Sequence, residues 1–490
     1  AKIYPKSLNY QLEIGIAQEK SGNSKKARQT YKRLFEDLNG QQSQAINLAN
    51  TFRRYEMYED ALNVYLLSEK INAKANFRIQ KAQLYDNLGK VNLMIAEYLN
   101  ELAHNPKQKK MVMAKVQLFL NNNGIKSERN YQLVKKALLL HVRDEQDRTD
   151  FSEMLIWLFM QNAQYEMALR QAKALDKRTN ADGEDVYDLG ESFLDKKEYQ
   201  LAVEAYDYVL EKGKNNFLFI EANINKLYAL TKSLSEQQKQ ISELDNIYQQ
   251  VITDIGKNRN TVLLLSNYAH FKAFYLHDLA SSEQILIEAM AIPQISNTDL
   301  AECKLEYADV MLLVGNIWES LLFYSQVEKD FKENPIGHEA KLRRAKIAYY
   351  QGDFDWAQAQ LGALKASTSK LIANDAMDLS LLIIDNLNLD TSTIAMATFA
   401  SGDLLNYQQK YEEAIAKYDS VLIAFPGHTL SDEIYMNKAE IYTKLNNTDS
   451  AVQMYQKITT DWGYDILADD ALYRLAKIYD NILAEKVKAM

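Results

Sequence analysis

The chain has 490 residues, of which 47% are hydrophobic and 25% charged, with only five prolines and sixteen glycines; helix-compatible residues dominate, which excludes a turn-rich β fold and a disordered chain. A net charge of −9 with both signs interspersed excludes the basic stripe that nucleic acid requires. The single cysteine, Cys303, leaves no intrachain disulfide, and the longest apolar runs, such as Met154 to Met160, fall well short of the roughly 20 residues that span a bilayer.

In chain order, the apolar periodicity predicts helices in pairs with short links. Residues 1–106 hold three pairs. Ile14-Gly15 lies in the first helix of one pair and Ala27 in the second, with Gly22-Asn23 as the turn. Tyr58-Glu59-Asp60-Ala61 with Tyr65 follows, Ala61 repeating the place of Ala27. Gly89-Lys90 and Met94 mark the third pair, which ends at Pro106, because proline cannot continue a helix. Residues 107–150 keep helical spacing but lose the small and aromatic positions, predicting a degenerate pair. Asp150-Phe151-Ser152-Glu153 then reads as a capping box. In residues 151–213 the pattern returns twice: Tyr165-Glu166-Met167-Ala168, then Leu189-Gly190 and Phe193 ahead of Tyr199-Gln200-Leu201-Ala202 with Tyr206. The interval from Ala168 to Ala202 equals that from Ala27 to Ala61. Residues 214–300 predict longer degenerate pairs. Residues 301–490 resume with Gly315-Asn316 and Ser320, Pro335, Gly352-Asp353 and Ala357, Ser401-Gly402 and Tyr411-Glu412-Glu413-Ala414 with Tyr418. The link Phe425-Pro426-Gly427-His428 lengthens the last interval, Ala414 to Ala451. A final first helix, Ala468 to Tyr479, is followed by Glu485 to Met490 with Ala489 in the small-residue slot, so this last unit is incomplete and the native chain is expected to continue past Met490. Its start at Ala1, without methionine, fits a processed or trimmed product.

A period of about 34 residues, with L-G-x-x-Y in one helix and A-x-x-x-F in the next, resembles the tetratricopeptide signature. The resemblance implies an all-α fold, a right-handed α-solenoid of antiparallel helix pairs. The lengthened link with Phe-Pro and His is similar to that of tetratricopeptide lipoproteins of the bacterial cell envelope, including an outer-membrane assembly component. Small residues at Ala27, Ala61, Ala168, Ala202, Ser320, Ala357, Ala414 and Ala451, and Met94 in the same slot, let paired backbones approach, and the aromatic four positions later fills the space between them.

Little in the sequence points to chemistry. His270 and His277, seven apart, could share a helix face, but no carboxylate joins them at the spacing a metal site wants. No phosphate-cradling loop, nucleophile elbow or paired-cysteine motif occurs, so neither an enzyme nor a cofactor is expected.

The working surface is therefore the face of each first helix that lines the inside of such an array. One polar patch there combines Asn47, Asn50, Arg53 and Arg54 with Gln80, Gln83, Asp86 and Asn87, amides suited to the main chain of an extended peptide and arginines to a carboxylate. The further basic residues of the family's carboxylate clamp are absent. A second patch combines Arg343, Lys346, Tyr349 and Tyr350 with Asp403 and Tyr407, and Trp157, Tyr349, Tyr350 and Tyr407 are read as exposed anchors. For any one of these residues, a merely solvated groove is the plainer reading. The function expected is a non-enzymatic adaptor that binds other proteins within an assembly, on the periplasmic side of a bacterial envelope and associated with the outer membrane; it would bind no nucleic acid and span no membrane, any lipid anchor lying outside the sequence. A cytoplasmic peptide receptor of co-chaperone type, or the recruiting part of an enzyme whose catalytic domain lies elsewhere, are the alternatives.

Overall fold

The computed structural model describes residues 8–121, 126–145, 147–234, 238–367, 369–387 and 393–481. Among them there are 26 α-helices, one short 3-10 turn at Pro106–Gln108 and no strand. The segment from Glu485 to Met490, expected to open a second helix, lies outside the described residues. No described helix is long and apolar enough to cross a membrane.

The chain divides into two compact units, one up to Phe219 and one from Ile220 onward. The first unit is built of six consecutive pairs: α1 (Leu8–Lys20) with α2 (Ser24–Glu36), α3 (Gln42–Arg54) with α4 (Tyr58–Ile71), α5 (Arg78–Asn87) with α6 (Val91–His104), α7 (Lys109–Asn121) with α8 (Lys126–Asp144), α9 (Thr149–Gln161) with α10 (Tyr165–Thr179), and α11 (Glu184–Asp195) with α12 (Tyr199–Leu210). The second unit continues with α13 (Phe219–Ser233) and α14 (Gln238–Ile255), α15 (Val262–Phe274) and α16 (Leu279–Met290), α17 (Asn297–Val314) and α18 (Ile317–Asp330), then α19 (Pro335–Tyr350) and α20 (Phe354–Leu364). A lone helix, α21 (Lys370–Leu387), follows. Pairs α22 (Ile394–Tyr407) with α23 (Tyr411–Ala424) and α24 (Ser431–Lys444) with α25 (Thr448–Asp461) come next, and α26 (Ile466–Asn481) ends the described chain. Each unit is thus a solenoid stretch of antiparallel helix pairs.

Small residues set the pairing. All nine anchor positions are buried to 1% exposure or less, and Tyr31, Tyr65, Tyr98, Tyr206, Tyr324, Tyr418 and Tyr455, four residues after their anchors, are buried with them. The first helix answers with glycine: a Cβ at Gly15, Gly190 or Gly402 would come 2.5, 2.8 and 2.7 Å from the rings of Tyr31, Tyr206 and Tyr418, so each ring lies directly on helix backbone. Where the anchors are missing, as in α8 and α14, the paired helices approach less closely and side chains bridge the gap between them. Thr231 and Tyr248 make one such side-chain bridge, at 2.9 Å.

Links between paired helices need one residue in the left-handed region. Gly22, Gly89, Gly315 and Gly352 supply it as the sequence implied, and Glu56, Ala163, Lys197, Gln409 and Asn446 adopt it without glycine. Two local expectations are corrected. Asp150 and Glu153 form no capping box: α9 already starts at Thr149, Asp150 accepts from the Arg148 guanidinium at 3.0 Å, and Glu153 is taken by Lys109. His270 and His277 share no helix face, because α15 ends at Phe274 and His277 lies beyond it with φ 55°. His270 instead stacks on Phe274 and bonds Glu306 at 2.9 Å. Among the described residues, no group of three His, Cys, Asp or Glu side chains is placed to hold a metal. Cys303 is fully buried, and burial pushes its thiol up to about 12.

Candidate functional site

Three surfaces on the first helices of the pairs are candidate binding sites. The amide-rich patch lies on α3 and α5. Asn47, Asn50, Arg53, Arg54, Asp86 and Asn87 are exposed there, and Gln80 and Gln83 are half-buried. Arg53 reaches Gln83 across the two helices at 3.4 Å, and Arg54 turns back to the Thr51 hydroxyl at 3.3 Å. Such long contacts leave the patch an open polar face.

The second patch is brought together in full, but as an interior. Tyr349 is 2% exposed, not an exposed anchor, and its hydroxyl donates to Asp403 at 2.6 Å. Asp403 also accepts from Tyr418 at 2.6 Å and from the Asn437 amide at 2.9 Å. One turn of the stack earlier, Asp309 accepts from Tyr324, Arg343 and Tyr407, and Arg343 adds Glu339 at 2.8 Å. Tyr350 and Tyr407 are half-buried, and with Lys346, Asn406 and Lys444 they leave a recess of about 350 Å³. The cause is α21. It packs chiefly on α20 and also touches α19, and α22 packs beside α19 as well, with the chain just past its C-terminal end reaching back to α17 and α15. Gln408 donates to the Leu312 carbonyl at 2.9 Å and Gln409 to the Phe274 carbonyl at 3.2 Å. The sequence did carry a signal for this network: an acid follows a small residue in the first helix, as in Ala308-Asp309, Gly190-Glu191 and Gly402-Asp403, and each acid accepts from the tyrosine four residues after the next anchor.

Burial pushes the Asp403 carboxyl up to about 6 despite its three donors. A folded-state value above the unfolded 3.8 means that the native state holds the proton more tightly, so this stabilisation is complete below pH 3.8 and is lost as pH rises through about 6. The change amounts to ~3 kcal/mol. Urea midpoints of the second unit should therefore fall between pH 4.5 and 7 by more in wild type than in Asp403→Asn, and equal slopes would refute this assignment.

The third surface is a groove of about 790 Å³ on α9 and α11. Ile156, Trp157 and Met160 recur at helical spacing on α9 and, with Leu189 of α11, form an apolar floor. Trp157 is half-buried in that floor, within reach of a bound side chain. Asp185, Asp188 and Ser192 run along the facing edge of α11, one turn apart. Lys109 closes one end, paired with Glu153, and Lys196 sits at the other with its ammonium 5.8 Å above the Tyr165 ring. As a binding candidate the sequence singled out only Trp157; Glu153, Tyr165 and Leu189 entered through the capping and repeat patterns, and helical spacing by itself does not tell which residues of α9 and α11 stay open.

Residues 399–466, which span α22 to α25, match a family model described as tetratricopeptide repeat. No curated protein matches the sequence. Similar solved structures include yeast Tom70 (12% identity, covering 99% of this chain and 100% of that one, TM-score 0.31) and the Naa15/Naa10 complex bound to HypK-THB (11%, 100% and 95%, TM-score 0.30). A tetratricopeptide repeat protein from Parabacteroides merdae is similar over 60% of this chain and 98% of its own, at 14% identity and TM-score 0.29. Residues 399–466 are thus a tetratricopeptide repeat segment within an all-α chain of stacked helix pairs.

Proposed function

We propose that this chain is a non-enzymatic scaffold that docks other proteins on the inner faces of its first helices, as a subunit of a larger assembly. The observation that carries the reading is the α9–α11 groove: an apolar floor centred on Trp157, open to solvent and rimmed by charge, is the form a partner anchor fills. The exposed amides on α3 and α5 supply a second contact of polar character. The assembly envisaged belongs to a bacterial envelope, on its periplasmic side, a reading supported by the Phe425-Pro426-Gly427-His428 link.

Affinity purification of the full-length protein from its native cells tests this, with Trp157→Ala/Met160→Ala and Asn50→Ala/Arg54→Ala/Gln83→Ala compared against wild type. A reproducible set of envelope proteins should be retained by wild type, lost at least about tenfold by the groove variant and weakened by the amide variant. A buried aromatic anchor carries ~2 kcal/mol or more, enough for such a loss. Partners retained equally by the groove variant would sink the groove, and a set of soluble chaperones would sink the envelope placement.

A further inference from the structure

We propose that the α9–α11 groove takes a cationic amphipathic segment of a partner protein, one that presents a large apolar side chain beside an arginine or lysine. This rests on the reading of the chain as a docking scaffold and specifies what docks.

The groove is left with unbalanced charge. Four charged groups ring the apolar floor besides Glu153, and both cations among them are already engaged: Lys109 with the Glu153 carboxylate, Lys196 with the Tyr165 ring. Asp185 and Asp188 form no ion pair among the described residues. Two carboxylates therefore stand on one edge of the groove, a turn apart on the same face of α11. Their mutual cost is visible in Asp185, whose carboxyl is held above its ordinary range by partial burial first, and then by the charges of Glu153 and Asp188; the Lys109 charge offsets this only in part. A bound cation removes that repulsion, whereas an acidic partner would add to it.

A purely structural role covers only one of the pair. Asp185 lies in the first turn of α11, where a negative charge complements the helix dipole. Asp188 is a turn further along and makes no cap, so its carboxylate stands exposed in the groove, available to a ligand. Trp157, Ile156 and Met160 line the same groove as an apolar floor. Arginine suits this pairing better than lysine, since its planar fork can meet a carboxylate while its face lies on the indole.

The test is selection of phage-displayed random dodecamers on the immobilised full-length chain, followed by fluorescence anisotropy of the enriched peptides. Enriched sequences should place Arg or Lys within four residues of Leu, Ile, Met or an aromatic. They should bind Asp185→Asn/Asp188→Asn and Trp157→Ala at least tenfold more weakly than wild type, and weaken between 50 and 500 mM salt. Asp188→Lys, an exposed substitution that leaves the core untouched, should reverse the preference toward acidic peptides. Enriched peptides that are uncharged or acidic yet still need Trp157 would overturn the cationic partner and leave the docking groove standing. If no enriched peptide depends on Trp157, both readings fall.

Discussion

Asp403→Ala is expected to destabilise the second unit by ~3–5 kcal/mol, because it strands two buried hydroxyls at once. Tyr349 and Tyr418 are 2% and 0% exposed and both donate to this carboxylate at 2.6 Å. Neither ring can turn to water without leaving its slot, and the Tyr418 ring lies on the backbone of Gly402. The Asn437 amide loses the same acceptor but keeps the Tyr418 hydroxyl at 3.3 Å. Asp403→Asn should cost less than half as much, since it keeps one acceptor oxygen and removes the burial penalty that pushes the carboxyl up to about 6. The four tryptophans make this measurable in the whole chain. Trp318, Trp356 and Trp462 belong to the second unit, so in a Trp157→Phe background the fluorescence follows that unit alone during urea unfolding. The two units need not unfold together, and reporting on one avoids treating the chain as a single two-state system. A cost under ~1 kcal/mol for the alanine variant would show that water satisfies these hydroxyls.

Gly337→Ala should cost ~3 kcal/mol in the same assay, at the upper end of what overpacking usually exacts. A Cβ there would stand 2.0 Å from the Phe331 carbonyl oxygen and 2.6 Å from its carbon. Both are backbone atoms, so no rotamer change relieves the clash. The turn from α18 into α19, held by Asn334 accepting from the Ile336 amide at 3.2 Å, has to open instead. Tyr324 on α18 and Arg343 on α19 meet at Asp309, so the damage should reach the polar network as well. Gly362, exposed in α20 with nothing within 4 Å of its Cβ position, is the control. Alanine there should be neutral or stabilise by up to ~1 kcal/mol, because it only lowers the chain entropy a helical glycine loses on folding. Equal effects at the two glycines would refute the steric account.

Helix pairing was legible because it depends on residues close in sequence. A small residue in one helix and an alanine with a tyrosine four positions later in the next are separated by a short turn, and Gly15, Ala27 and Tyr31 carry the whole relation within a single pair. The turns were legible only where glycine supplied the left-handed residue. Ala163 and Gln409 adopt the same conformation because the helices on either side are already committed to packing, and no propensity at those residues announces it.

Of the aromatics read as exposed anchors, Tyr349 was misread for a related reason. Tyr349 stands at a position that faces the groove in a regular array, and regularity is what the repeat pattern presumes. The lone helix α21 breaks the alternation, so α22 settles beside α19 and Asp403 arrives over Tyr349 from 54 residues away. The register that brings Asp309 to Tyr407, 98 residues apart, depends on every pair stacked between them. Composition, period and anchors in this sequence determined an all-α stack of helix pairs, because each pair is built from local contacts that one repeat contains. Tertiary structure alone decided which inner faces stay open, as at Trp157, and which are sealed, as at Tyr349, because that depends on how successive pairs lean on one another and on where one unpaired helix interrupts them.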